Sequence, residues 1–304
     1  MNICMNFKLF LNAIGRYKSM TARSVPDRIM SIPAESLGKD SGVAVTIVPD
    51  EAELYVKFAR VMVEEIEKNN TTGKPTSFIL PVGPVGQYGP FTEMVRESKV
   101  SLSGVSLFFM DEYLTDNDDY IPESHPLSFR GFVKTALTET LSGHPGWDPR
   151  RVHFPDPKKP DEYTQAMIDA GGVDIAFAGV GINGHLAFNE PPEPGETVST
   201  DEFICRRTRV LSLSRETKTI NSVTAAGGGI FYIPSRAVTV GMHEIFSAEK
   251  VMIYMNRFWQ KAVIRRMLHG EMTALFPASL IRTRENISVT ATEEVSRLPL
   301  PTLR

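Results

Sequence analysis

The feature that most constrains the fold of this 304-residue chain is an alternation of short apolar runs with longer stretches of helical spacing. The apolar runs are continuous, which is typical of strands buried on both faces of a parallel sheet. We interpret these runs as strands, at 43–48, 77–80, 105–110, 173–180, 238–242 and 251–255. The stretches between them include helical patterns, at 54–66, 128–137, 162–170 and 258–268.

Strands that alternate with helices predict an α/β fold. We expect a doubly wound, mostly parallel sheet with helices on both faces, Rossmann-like, in a single domain over residues 43–304. Residues 1–42 are then an N-terminal extension. Its apolar segment 7–11 is short and is followed closely by Asn12 and Arg16, which argues against a secretory signal.

Composition excludes several classes of protein. The chain has 33 basic and 36 acidic residues, so its net charge of −3 does not indicate the excess of positive charge that a nucleic-acid-binding protein uses. No apolar run is long enough to cross a membrane. The two cysteines, Cys4 and Cys205, form neither a disulfide framework nor a metal-ligand spacing. We therefore expect a cytoplasmic enzyme that needs no metal.

Ligands of parallel α/β sheets bind beyond the carboxyl ends of the strands, so the residues that follow each strand are the first candidates. The loop after the strand at 77–80 contains Gly83, Gly86 and Gly89 and leads into a helix. Glycines allow a close backbone approach to an anion at a helix N-terminus. The spacing matches neither a P-loop nor a dinucleotide fingerprint. We expect contact with a phosphate or a sugar ring, and the alternative is a tight structural turn.

An acidic pair, Asp111 and Glu112, ends the apolar strand at 105–110. Carboxylates at a buried strand end lose hydration unless another group compensates them. The pair therefore suggests a general base whose pKa is set by partial burial. A helix cap or a salt bridge is the structural alternative.

The strongest motif follows the strand at 173–180. Gly179, Gly181 and Gly184 free the backbone to curve around a ligand, and His185 and Glu190 lie in the same loop. A carboxylate that fixes the tautomer of an imidazole makes a proton-transfer pair. The chain contains no nucleophile elbow and no zinc-ligand spacing.

These residues resemble the glucosamine-6-phosphate isomerase/deaminase family, which shares a superfamily with the 6-phosphogluconolactonases. The resemblance extends over residues 43–294. Its motifs are Met110-Asp-Glu-Tyr113, His125-Pro-Leu-Ser-Phe129, Gly181-Ile-Asn-Gly-His-Leu-Ala-Phe-Asn-Glu-Pro191, Arg207-Thr-Arg209, Ala237-Val-Thr-Val-Gly241, Gln260-Lys261 and Phe276-Pro-Ala-Ser-Leu280. The ending typical of the lactonases after the histidine is absent.

The resemblance implies a mechanism and a set of site residues. His185, oriented by Asn183 and Glu190, would open the sugar ring, and Asp111 would carry a proton between C2 and C1 before ammonia leaves. The substrate-binding residues would be Gly83, Gly86, Glu112 and Lys261, with Lys261 at a phosphate-contacting position. The partner would be a small sugar phosphate, with no cofactor. Both monomers and homo-oligomers are compatible with the resemblance.

The chain departs from the family pattern on the phosphate side. The loop Pro81-Val-Gly-Pro-Val-Gly86 lacks the family's hydroxyl donors, and Val223 falls where the family has a phosphate-binding Arg. Arg206, Arg215 and Arg236 are candidate replacements. We expect isomerase/deaminase chemistry on a substrate whose acidic group is held differently. The alternatives are a non-catalytic sugar-phosphate sensor and a lactonase-like hydrolase.

Overall fold

The computed structural model describes residues 27–301. The strands are Ala44–Val48 (β1), Thr76–Leu80 (β2), Val105–Phe109 (β3), Asp111–Leu114 (β4), Val152–His153 (β5), Ile175–Ala178 (β6), Arg209–Ser212 (β7), Arg236–Thr239 (β8), Lys250–Met255 (β9) and Ile287–Thr292 (β10). The helices are Asp27–Met30 (α1), Glu51–Thr72 (α2), Tyr88–Ser98 (α3), Phe129–Val133 (α4), Pro160–Asp169 (α5), Thr200–Ile204 (α6), Arg215–Ala225 (α7), Met242–Ser247 (α8), Gln260–His269 (α9) and Glu293–Ser296 (α10). Short 3-10 or π segments occupy Ala34–Ser36, Lys134–Glu139, Pro149–Arg151, Ile230–Tyr232 and Pro277–Thr283.

The main sheet has seven parallel strands in the order β1-β10-β9-β6-β2-β3-β5. Successive residues of its central strands are buried on opposite faces. Phe78 and Leu80 of β2 pack into one core cluster, whereas Ile79 between them packs into the other. Because both faces are covered there, the central strands β6, β2 and β3 carry no regular polar alternation. The predicted α/β fold with a mostly parallel sheet is confirmed.

Helix α2 illustrates how local sequence sets an element. Asp50 caps its N-terminus by accepting a hydrogen bond from the Glu53 N–H at 3.0 Å, and Gly73, with φ of 69°, ends it. Its buried face includes Phe58, whose ring stacks on Phe177 and Tyr254 at centroid distances of 4.5 and 4.3 Å. This contact fixes α2 against the middle of the sheet.

A second sheet of three antiparallel strands, in the order β4-β8-β7, lies beside the first. The chain passes between the sheets at Met110, whose N–H donates to Leu80 of β2 and whose carbonyl accepts from Val240. The strand predicted at 238–242 belongs to this sheet and runs antiparallel as β8, which corrects its expected place in the parallel sheet. A short apolar run indicates that a strand is buried, but it does not indicate whether the strand pairs with its neighbours in parallel or antiparallel.

Residues 27–42 of the predicted extension pack against α9. Arg265 of α9 is fully buried, and its guanidinium donates to four backbone carbonyls at 2.8–3.0 Å, those of Ile32, Lys261, Ser296 and Arg297. Arg265 therefore joins the segment after α1 and the end of α10 to α9. The rest of the extension, residues 1–26, lies outside the described residues. No helix within residues 27–301 is long and apolar enough to span a bilayer.

Candidate active site

A cleft of about 440 Å³ opens at the carboxyl ends of β9, β6, β2 and β3, which are adjacent in the main sheet. The residue that follows each of these strands lines it: Asn256, Gly179, Pro81 and Met110, respectively. This is where ligands bind in open parallel sheets. The cleft therefore defines the region in which the candidate side chains must converge.

Asp111 and Tyr113 line the cleft from the first strand of the small sheet, β4. The Asp111 side chain is buried, and no hydrogen bond joins its carboxyl group to another side chain or backbone group of residues 27–301. Burial, and secondarily the negative charge of Glu112, raises the pKa of Asp111 well above its ordinary value. A carboxylate with a raised pKa is a stronger proton acceptor, as a general base requires.

Glu112 points to the opposite side of β4, because successive strand residues alternate in direction. Its fully buried carboxylate accepts hydrogen bonds from the N–H groups of Tyr113, Phe129 and Arg130 at 2.8–3.1 Å and from the Ser128 hydroxyl at 2.9 Å. Burial raises the pKa of Glu112 despite these bonds. The structure thus places the predicted substrate-binding residue Glu112 at the N-terminus of α4, away from the cleft lining.

His185 enters the cleft from the loop after β6, held by an amide and a carboxylate. Its Nδ1 lies 2.8 Å from Asn183 Oδ1, and the Asn183 amide donates to Glu190 Oε2 at 2.7 Å. Ser214 donates to both oxygens of Glu190 at 3.1–3.2 Å, and Thr217 Oγ1 lies 3.2 Å from His185 Nδ1. With the Asn183 amide oriented by Glu190, Nδ1 carries the proton and donates to Oδ1, which leaves Nε2 as the basic nitrogen.

The Glu190 carboxylate lies beside the imidazole of His185 and is itself ionised. Burial tends to raise the pKa of Glu190, but hydrogen bonding and attraction to His185, with a further hydrogen bond from Asn183, lower it to about 2. Glu190 Oε2 lies 3.5 Å from His185 Nδ1. Glu190 is therefore ionised at neutral pH and holds a negative charge beside the imidazole ring.

Gly181 lies directly against the imidazole of His185, and no side chain fits at this position. A Cβ there would overlap the imidazole ring of His185, whose carbonyl also accepts from the Gly181 N–H at 2.9 Å. We expect Gly181→Ala to displace the ring and to lower kcat roughly 10- to 100-fold, since an error of about 1 Å in a catalytic group reduces rates on this scale. Gly89→Ala is the control, because a Cβ at Gly89 meets nothing within 4 Å. Steady-state kinetics of both variants test this, and an unchanged kcat in Gly181→Ala would contradict it.

Known proteins of related sequence identify the family to which this chain belongs. No family model matches the chain. A glucosamine-6-phosphate deaminase from Porphyromonas gingivalis is 30% identical over 253 residues, which cover 80% of this chain and 89% of the relative. Another from Caenorhabditis elegans is 30% identical over 216 residues, 68% of this chain and 74% of the relative. The chain belongs to the glucosamine-6-phosphate deaminase family.

Solved structures agree with this family at the level of fold. A monomeric glucosamine-6-phosphate deaminase superposes with a TM-score of 0.71 at 22% identity, covering 84% of this chain and all of the other. The 6-phosphogluconolactonase from Trypanosoma cruzi has a TM-score of 0.62 at 18% identity, covering 84% of this chain and 96% of the other. The resemblance expected from the sequence is thus confirmed, and two enzyme activities share the fold of this deaminase family member.

Among the substrate-binding residues predicted for this member of the deaminase family, only Gly83 lines the cleft. Gly86 lies against the ring of Tyr55, where a Cβ would overlap it. Lys261 lies in the first turn of α9, and its ammonium forms an ion pair with Glu294 at 2.6 Å. Of the residues predicted for proton transfer, Asp111 and His185 therefore line the cleft, whereas Gly86 and Lys261 do not.

Several residues that line the cleft of this deaminase family member were not predicted from the sequence. Tyr254 lies near the end of β9 and Arg257 just after it, so their position at a strand end is the signal that marks them. Asn221 of α7 also lines the cleft and donates to the Tyr113 hydroxyl at 2.9 Å. Nothing in the local sequence marks Asn221, because its role depends on how α7 packs across the small sheet.

Proposed function

We propose that this chain is an amino-sugar-phosphate isomerase/deaminase that acts on a substrate like glucosamine 6-phosphate. The overall reaction converts a hexosamine phosphate and water into a ketose phosphate and ammonia. The observation that carries the proposal is that Asp111 and His185, from different strand ends, line one cleft. Aldose–ketose conversion needs two groups of this kind, one for the ring oxygen and one for carbon.

His185 would open the sugar ring. Its Nε2 accepts the proton of the O1 hydroxyl and delivers it to the ring oxygen, so the C1–O5 bond breaks and C1 becomes an aldehyde. The hydrogen bond from Nδ1 to Asn183 and the charge of Glu190 keep the imidazole oriented through this exchange. An amide at 183 positions the ring and leaves the charge on Glu190.

Asp111 would act on carbon. Its carboxylate removes the proton from C2, which gives an enol intermediate, and returns a proton to C1. The amino group then leaves C2 as ammonia when water adds, and the ketose phosphate remains. The burial that raises the pKa of Asp111 increases its proton affinity, which suits removal of a weakly acidic C–H proton.

The sequence motifs and the related proteins also support a cytoplasmic, small-molecule enzyme. Phosphorylated sugars carry charge and do not cross membranes unaided, so an enzyme that uses them meets them in the cytoplasm. No step in this mechanism requires a cofactor.

The test is a substrate screen with a histidine variant. We expect the purified protein to release ammonia and form a ketose from at least one of glucosamine-, galactosamine- and mannosamine-6-phosphate. His185→Ala should reduce kcat about 10²-fold or more, because general acid–base groups contribute on this scale. His243→Ala is the control, since His243 lies outside the cleft lining.

Two outcomes would contradict the proposal. Hydrolysis of 6-phosphogluconolactone without ammonia release from any amino sugar would show the lactonase activity that shares this fold. Binding of a sugar phosphate without turnover of any of these substrates would show a sensor.

A further inference from the structure

The cleft contains a single cationic side chain within the described part of the chain. Arg257 follows β9 and is the only Lys or Arg that lines the cavity. Resting on the proposed function, we infer that Arg257 is the residue that binds the phosphate monoester of the substrate in this chain. It takes the role that the family resemblance gives to Lys261 and to an Arg at the position that Val223 occupies on α7.

Arg257 lies at the far side of the cleft from the proton-transfer base. Strand β9 is separated from β3, which leads into Asp111, by β6 and β2. Neighbouring strands are roughly 4.8 Å apart, so the two strand ends are about 14 Å apart. An extended hexose phosphate between Arg257 and Asp111 fits this separation, with its reacting carbons near Asp111 and its phosphate near Arg257.

The guanidinium of Arg257 is available for a ligand. The backbone N–H of Arg257 donates to Gln260 Oε1 at 2.9 Å, while its exposed side chain forms no ion pair with a carboxylate of residues 27–301. The nearby Glu51 carboxylate accepts hydrogen bonds from Tyr55 and Asn256. A planar guanidinium without a partner suits bidentate binding of phosphate.

Two more donors at this end of the cleft lack partners. The Tyr254 hydroxyl and the Trp259 indole nitrogen are buried atoms with no hydrogen bond to any described residue, and both residues line the cleft. Tyr254 is 1% exposed. Buried donors are almost always satisfied in folded proteins, so each of these two donors leaves hydrogen-bonding capacity near the end of β9 that no described residue uses.

The other candidate cations are engaged elsewhere. Lys261 pairs with Glu294, Arg236 with Asp118 at 2.7 Å and Arg206 with Glu196 at 2.8 Å. Arg215 does not line the cleft, and Val223 is 61% exposed. The α7 residues that do line the cleft are neutral, namely Asn221, Thr224 and Ala225. The positive charge needed for a phosphate is therefore concentrated at the end of β9.

The test compares Arg257→Gln with Arg60→Gln, which removes the same charge from an exposed position of α2 outside the cleft. For the phosphorylated amino sugar that the protein turns over, we expect the KM of Arg257→Gln to rise about 10- to 100-fold with a smaller change in kcat. Inhibition by inorganic phosphate should weaken by a similar factor. Turnover of the unphosphorylated sugar should be the same in both variants and in the unaltered protein.

An unchanged KM in Arg257→Gln, or an equal loss of kcat/KM for the phosphorylated and unphosphorylated sugars, would overturn the inference and leave the proposed function standing.

If the unaltered protein turns over none of the sugars, calorimetric binding of glucosamine 6-phosphate and of inorganic phosphate replaces kinetics. Binding that is lost in Arg257→Gln and kept in Arg60→Gln would then support the inference although the proposed function had failed. Binding that is equal in all three proteins, or absent from the unaltered protein, would overturn it.

Discussion

Replacement of Asp111 by Asn is expected to lower kcat about 10²- to 10⁴-fold while KM changes by no more than a few fold. Asn has nearly the same shape as Asp, but its amide cannot accept the C2 proton. General base catalysis contributes on this scale. Steady-state ammonia release on the best substrate measures the effect. Turnover that survives intact in Asp111→Asn would show that another group acts on carbon.

Asp118→Asn provides the matched control for this variant. Asp118 is partly exposed, pairs with Arg236 and has a φ of 57°, a conformation that Asn tolerates well. It lies outside the cleft lining, so its kinetics should match those of the unaltered protein.

The pH profile gives a second measure of the same residue. Asp111 works as a base only when it is unprotonated, and its raised pKa means that a higher pH is needed to reach that state. The kcat/KM value should therefore fall with decreasing pH on an acidic limb that lies above the ordinary carboxylate range. In Asp111→Asn, this limb should disappear from the residual activity.

Arg265→Met is expected to lower the free energy of unfolding by about 3 kcal/mol. Met fills much of the apolar space of the arginine stem but leaves the carbonyls of Ile32, Ser296 and Arg297 without their guanidinium donor, and each buried unsatisfied group costs roughly 1–3 kcal/mol before relaxation. The segment after α1 and the end of α10 would lose their attachment to α9. For a chain of this size, the melting temperature should fall by about 5 °C.

Arg60→Met is the control for stability, because Arg60 is exposed on α2. Urea unfolding and calorimetry compare the two variants. Activity at low temperature should persist in Arg265→Met, since Arg265 does not line the cleft. An unfolding free energy equal to that of Arg60→Met would mean that water or rearranged backbone replaces the guanidinium.

Hydrophobic pattern was sufficient to predict the main architecture. The runs at 77–80 and 105–110 correspond to β2 and β3, and their lack of polar alternation reflects burial on both faces. The same signal could not separate β8 from the parallel strands, because direction depends on partners distant in sequence. Two strands of the main sheet were not predicted. The two residues of β5 are too few to carry a periodicity, and β10 alternates apolar and polar residues instead of forming a continuous apolar run.

Strand ends and glycines located the candidate site, but side-chain direction limited how finely it could be predicted. Gln260 lines the cleft, whereas Lys261, one residue later on α9, pairs with Glu294. One step along a helix turns the side chain by about 100°. Likewise, Asp111 and Glu112 diverge because neighbouring strand residues alternate. A motif therefore names candidate residues, whereas the structure shows which of their side chains face the cleft.

The order of strands in the main sheet divides this enzyme into two parts that can change separately. The residues proposed for proton transfer follow β3 and β6, whereas Arg257 follows β9. Substitutions at sites that share no contacts usually have additive effects. Evolution, or an engineer, could therefore exchange the residues after β9 to accept a differently charged sugar while the chemistry at Asp111 is preserved.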